Sequence, residues 1–112
     1  MPGKRYVPER GDLVFTNFDP AAGHEQARRR PALVLSPCLF NAKVGLALVA
    51  PVTSRVRGHG FEVAVNGKKV AGVILCQQIK MIDFEAGGVR LIEQAHPDVL
   101  ADVLAKVRAL VQ

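Results

Sequence analysis

FEVAVNGKKVAGVILC, residues 61–76, alternates, turns and returns. Phe61, Val63 and Val65 fall on one side of an extended chain and Glu62 and Ala64 on the other, the two-residue period of a strand with one buried face. Asn66-Gly67 follows, the dipeptide with the strongest short-range preference for a hairpin turn, so a return strand is expected over 69–76 (KVAGVILC) and a further one over 79–84 (IKMIDF).

Outward from this hairpin the same grammar recurs. DLVFTNF (12–18) sets Leu13 and Phe15 against Val14, Thr16 and Phe18 with a period near two, and Asp19-Pro20 ends it. PALVLS (31–36) and GLALVAPV (45–52) are almost wholly apolar, as strands buried on both faces are; Pro31 is tolerated as a strand's first residue. Short strands at this spacing indicate a small barrel or curled sheet rather than βαβ units. The period changes in HPDVLADVLAKVRALVQ (96–112), where Val99, Leu100, Val103, Leu104, Val107, Leu110 and Val111 recur at three- and four-residue steps. Asp102 and Lys106 form an i,i+4 pair, Pro97 suits the first helical position, and Asp98 and Arg108 complement the two ends of the dipole. One amphipathic helix packed on the barrel is expected.

The 112 residues read as one domain, 1–112, with 49% hydrophobic residues and no linker or repeat. This excludes a multidomain enzyme and a disordered chain. The formal net charge of +5 lies entirely in residues 1–60, which hold nine Lys/Arg against four acids, whereas residues 61–112 hold six of each. Such a bias favours a phosphate-bearing or acidic partner over a merely solubilising surface only when other features agree. Cys38 and Cys76 lack CxxC spacing and His24, His59 and His96 are isolated, so two small buried thiols in a reducing compartment, no metal site and no cofactor are expected. The N-terminal segment has no apolar h-region and no apolar run approaches the ~20 residues of a membrane span, which points to the cytoplasm and away from membranes.

Chemistry concentrates at two strand ends. In GHEQARRRPALVLSP (23–37) three arginines precede a buried strand. Arg30, next to Pro31, is held by the strand, whereas Arg28 and Arg29 are expected on a mobile loop; a guanidinium is a planar bidentate donor suited to phosphate. In PVTSRVRG (51–58) an apolar strand ends in Thr53 and Ser54, followed by Arg55 and Arg57. Either stretch alone reads as a charged face or a turn, and together they describe a site for an anionic ligand.

RYVPERGDLVF (5–15), FDP (18–20), G-x-EQ (23–26), RRPALVLSP (29–37), PVTS (51–54) and the FEV…GVIL…Q-x-K-x-ID series (61–83), in this order, resemble the MazF/PemK family of toxin endoribonucleases. The resemblance implies a mainly β (α+β) fold, a small SH3-like barrel of short antiparallel strands with a C-terminal α-helix. It implies a homodimer that cleaves single-stranded RNA at short sequences without a metal and is silenced by an acidic MazE-like antitoxin. It assigns catalysis to Arg30 and Thr53 and matches Glu25 to the family's loop glutamate and Ser54 to its second hydroxyl. The chain departs from the family at His24, at Gln77, where aspartate often precedes Gln78, and at Phe84, where tryptophan is frequent.

Metal-free cleavage can use the substrate's 2′-OH as nucleophile, leaving a 2′,3′-cyclic phosphate and a 5′-OH. Arg30 would stabilise the accumulating charge and Thr53 would fix the phosphate. A guanidinium is a poor general base, so proton transfer stays open, with Glu25 and His24 as candidates. Arg28, Arg29, Ser54, Arg55, Arg57 and Gln78 are the expected RNA-binding residues. With one Tyr and no Trp, base stacking is poorly supplied and recognition should lean on polar contacts. Two rivals remain: a non-enzymatic toxin on the same fold, resembling CcdB, that binds a topoisomerase and has no need of the Arg30 and Thr53 pair, and a basic barrel that binds nucleic acid without cutting it, which the charge bias would also satisfy.

Overall fold

The structure is a computed structural model and describes residues 5–17 and 29–112. The described residues form seven strands, β1 (Asp12–Asn17), β2 (Arg29–Val34), β3 (Ala47–Thr53), β4 (Glu62–Asn66), β5 (Ala71–Leu75), β6 (Lys80–Ile82) and β7 (Val89–Gln94). Two helices join them, α1 (Cys38–Val44) and the C-terminal α2 (Pro97–Leu110). Every pairing is antiparallel, in the order β4-β5-β3-β2-β1-β7. One edge of β3 is shared: Ala47 to Val49 pair with β6, and Val52 and Thr53 pair with β5.

The expected burial of the central strands on both faces is observed. Leu13, Leu33, Ala50 and Val52 join Val63, Val65, Ile74 and Val103 in one core layer, while Val14, Ala32, Val34 and Val49 join Ile82 and Phe84 in another. Helix α2 covers the first layer through Val99, Leu100, Val103, Leu104 and Val107. It starts as expected, with Pro97 in its first turn and the Asp102–Lys106 pair at 2.6 Å, and the His96 ring accepts the N–H of Asp98 at 3.1 Å. Leu110 and Val111 do not reach the core. They lie past the last covered turn and are exposed.

Three further expectations are corrected. The hairpin exists, but Asn66 pairs with Ala71, so the turn spans Gly67 to Val70 and the return strand begins at 71 rather than 69. A tight Asn-Gly turn would need positive φ at both residues, and neither has it; the loop is held instead by Glu93, whose carboxylate accepts the N–H groups of Lys68, Lys69 and Val70 at 2.8–3.1 Å. The strand expected over 79–84 is confined to Lys80–Ile82, after a 3₁₀ turn at Cys76–Gln78. Of the two thiols only Cys76 is buried, and burial raises it to about 11; Cys38 is half-buried at the start of α1.

Candidate active site

Pleat and register bring the two strand ends together. β2 and β3 pair Ala32 with Pro51, Leu33 with Ala50 and Val34 with Val49. The pairing ends at Ala32 and Pro51; Arg30 and Thr53 lie two residues beyond it on their strands. By alternation both continue the rows of the second core layer, so they face away from α2. Here the apolar strands run out into a cleft of about 420 Å³ lined by Arg30, Thr53, Arg55, Arg57, Leu75, Gln77 and Gln78.

Three guanidinium groups, a hydroxyl and two carboxamides converge there, and no carboxylate is among the described lining residues. The half-buried Thr53 accepts the N–H of Arg55 at its Oγ1, 3.2 Å, which leaves its own O–H free to donate. Its placement depends on Gly72 of β5. At Gly72 φ is +146°, and a Cβ there would collide with the Thr53 carbonyl oxygen, so only glycine lets β5 approach this strand end.

The segment after Thr53 carries Arg55 and Arg57 and is tied down from below. Glu62, the first residue of β4, accepts the N–H of Gly58 at 2.8 Å and that of Arg57 at 3.0 and 3.1 Å, with a side chain only 5% exposed. The Gly58 N–H, then that of Arg57, together with the neighbouring His59 and Arg57, hold its carboxyl below the usual carboxylate range. Gly58 turns the chain at φ +84° with open space around it. His59 accepts the Phe61 N–H at Nδ1, 3.2 Å, while its Nε2 stands 3.6 Å from Glu62 and 3.3 Å from the Gln77 carboxamide.

Of the expected site residues, the cleft thus unites Arg30, Thr53, Arg55, Arg57 and Gln78. Ser54 is exposed and does not line it. Arg29, expected on a loop, is instead the first residue of β2; its Nη2 lies beside Gly88 and outside the cleft. His24, Glu25 and Arg28 lie outside the described residues. Glu62, His59 and Gly72 were not among the expected site residues. Alternation places Glu62 on the outward side of its strand, and because its partners are backbone N–H groups no residue pattern marks the contact. Among the described residues no three His, Cys, Asp or Glu side chains come together as a metal site, and no helix is long and apolar enough to cross a membrane.

Known proteins share this sequence and fold. The chain is 42% identical over 107 residues to the endoribonuclease toxin MazF of Escherichia coli K12, covering 96% of each. MazF of Deinococcus radiodurans superposes with a TM-score of 0.86 at 44% identity, covering 96% of this chain and 98% of that one. In the MazE–MazF crystal structure from the same organism the match has a TM-score of 0.84 at 39% identity and covers 96% and 97%. A family model described as "PemK-like, MazF-like toxin of type II toxin-antitoxin system" matches residues 9–111. With the barrel, the C-terminal helix and the arginine–threonine cleft in place, the chain belongs to the PemK-like, MazF-like toxins of type II toxin–antitoxin systems.

Proposed function

We propose that this chain is a sequence-specific, metal-independent endoribonuclease that cleaves single-stranded messenger RNA and so inhibits translation and growth. The observation that carries the reading is the cleft itself, where Arg30, Arg55 and Arg57 surround Thr53 without a carboxylate among the described lining residues. The 2′-OH of the nucleotide 5′ to the scissile phosphate attacks phosphorus, the bond to the 5′-oxygen breaks, and 2′,3′-cyclic phosphate and 5′-OH ends result. Arg30 binds the non-bridging oxygens as charge builds on them, and Thr53 donates its O–H to the same phosphate. Arg55, Arg57 and Gln78 hold flanking phosphates and base edges. Proton transfer falls to Glu25 or His24.

The named endoribonucleases among the relatives support this reading over a topoisomerase-binding toxin or a silent nucleic-acid binder. The family match over 9–111 supports one toxin domain. An acidic MazE-like antitoxin is the proposed inhibitor, supported by the MazE–MazF structure of the relative and by the basic bias of residues 1–60. The toxin is proposed to work as a cytoplasmic homodimer; exposed Leu39, Phe40 and Val44 on α1 are apolar area that assembly can bury. The test is incubation of purified protein with a long single-stranded RNA in EDTA. Discrete fragments support the nuclease, whereas intact RNA that turns over only with added magnesium contradicts metal independence.

A further inference from the structure

We propose that Glu62 is a positioning residue that clamps the arginine-bearing loop over the cleft. Loop 54–60 contributes Arg55 and Arg57, and it lies between the end of β3 and the start of β4 with little apolar anchorage, Val56 being 66% exposed. Its described fastenings are polar. One is the Arg55 N–H on Thr53 and another the Gln77 carboxamide on His59; the Arg57 and Gly58 N–H groups converge on the Glu62 carboxylate, which also faces His59. A carboxylate under an arginine cluster would ordinarily compete with an anionic ligand. This one cannot do so freely, because its side chain is 5% exposed and both its oxygens are engaged by backbone donors.

The direction of the effect separates positioning from plain charge. Removing a negative charge beside a cationic cleft should strengthen nucleic-acid binding by Coulomb's law. Releasing the loop should weaken it, because the two arginines lose their fixed approach to phosphate. Catalytic consequences rest on the nuclease reading; the clamp itself does not.

The experiment compares wild type, Glu62→Gln, Glu62→Ala, Arg57→Ala and the Glu62→Ala/Arg57→Ala double variant. Binding is read with a fluorescein-labelled single-stranded 2′-deoxy oligonucleotide, which lacks the attacking hydroxyl, across a salt series; cleavage of the matching RNA is read in parallel. Glu62→Ala is expected to weaken binding roughly 10-fold, to lower the salt slope by about one phosphate contact, and to add little once Arg57 is gone. Glu62→Gln, which keeps one acceptor, should fall between it and wild type. Binding unchanged or tightened in Glu62→Ala, or full additivity with Arg57→Ala, would overturn the clamp. In wild type, where folding is not in question, the amide proton resonances of Arg57 and Gly58 should titrate together, with a midpoint below the ordinary carboxylate value. His59 and Arg57 are the titratable and charged groups facing Glu62. If those amides do not respond, the clamp is absent. Should wild type bind but fail to cut RNA, the nuclease reading fails while the binding series still decides the clamp.

Discussion

Arg30 and Thr53 lie two residues beyond the last β2–β3 pair, Ala32 and Pro51, and each is held in its strand by its other neighbour, Arg30 by Thr16 of β1 and Thr53 by Val73 of β5, rather than by a loop. Arg30→Ala and Thr53→Ala should each lower kcat/KM by roughly 10²–10³-fold, the cost of removing one preorganised donor from a developing oxyanion, with thermal unfolding little changed. Arg29→Ala, outside the cleft, should cost far less, and equal losses at the two arginines would refute the assignment. The positions of Arg30 and Thr53 at strand ends were legible in the sequence, next to Pro31 in one case and after Val52 in the other, while their choice as a pair comes from the resemblance to the family. Glu62 was not legible. Its partners are backbone N–H groups, which every residue owns, so no residue pattern advertises the contact.

Among the elements, the 61–76 hairpin shows which part of a pattern is strong. Alternation correctly buried Val63 and Val65 but not Phe61, which precedes β4 and is exposed, while the turn differs because Glu93, distant in sequence, offers three amides a better partner than a tight Asn-Gly turn. Those N–H groups, that of Lys69 first, lower the Glu93 pKa. A carboxylate with a lowered folded pKa contributes stability above its ordinary value near 4.5, and that contribution disappears as pH falls through the folded pKa. Glu93→Gln should therefore unfold at a lower temperature than wild type at neutral pH and show a flatter loss on acidification; parallel curves would contradict this. Gly72→Ala is a second test, because the new Cβ must displace the Thr53 carbonyl. It should lower activity through Thr53 and cost about 1–3 kcal/mol of stability by overpacking, read from urea unfolding. Strand β7 escaped the sequence reading because it pairs with β1 across a bulge between Leu13 and Val14, so Leu91 is left exposed and Ile92 packs inward out of step. Helix α1 was missed because its seven residues are too few to establish a helical period.

Across the whole molecule, α2 covers one core layer and the strand ends carrying Arg30 and Thr53 extend from the other, which separates the stabilising face from the reactive one. The charge bias of residues 1–60 fits this division in part: Arg29 and Arg30 of β2 and Arg55 and Arg57 of the loop after β3 are four of its nine Lys and Arg, whereas α2 balances its own charges. The central claim is that the substrate supplies the nucleophile and the cleft supplies charge. It is tested most directly by an RNA that the protein cuts, remade with a single 2′-deoxy sugar at the nucleotide 5′ to the scissile phosphate. We expect cleavage at that site to stop while binding changes little, and the unmodified RNA to give 2′,3′-cyclic phosphate and 5′-hydroxyl ends in EDTA. Efficient cutting of the deoxy-substituted strand, or 5′-phosphate products that require magnesium, would contradict the account.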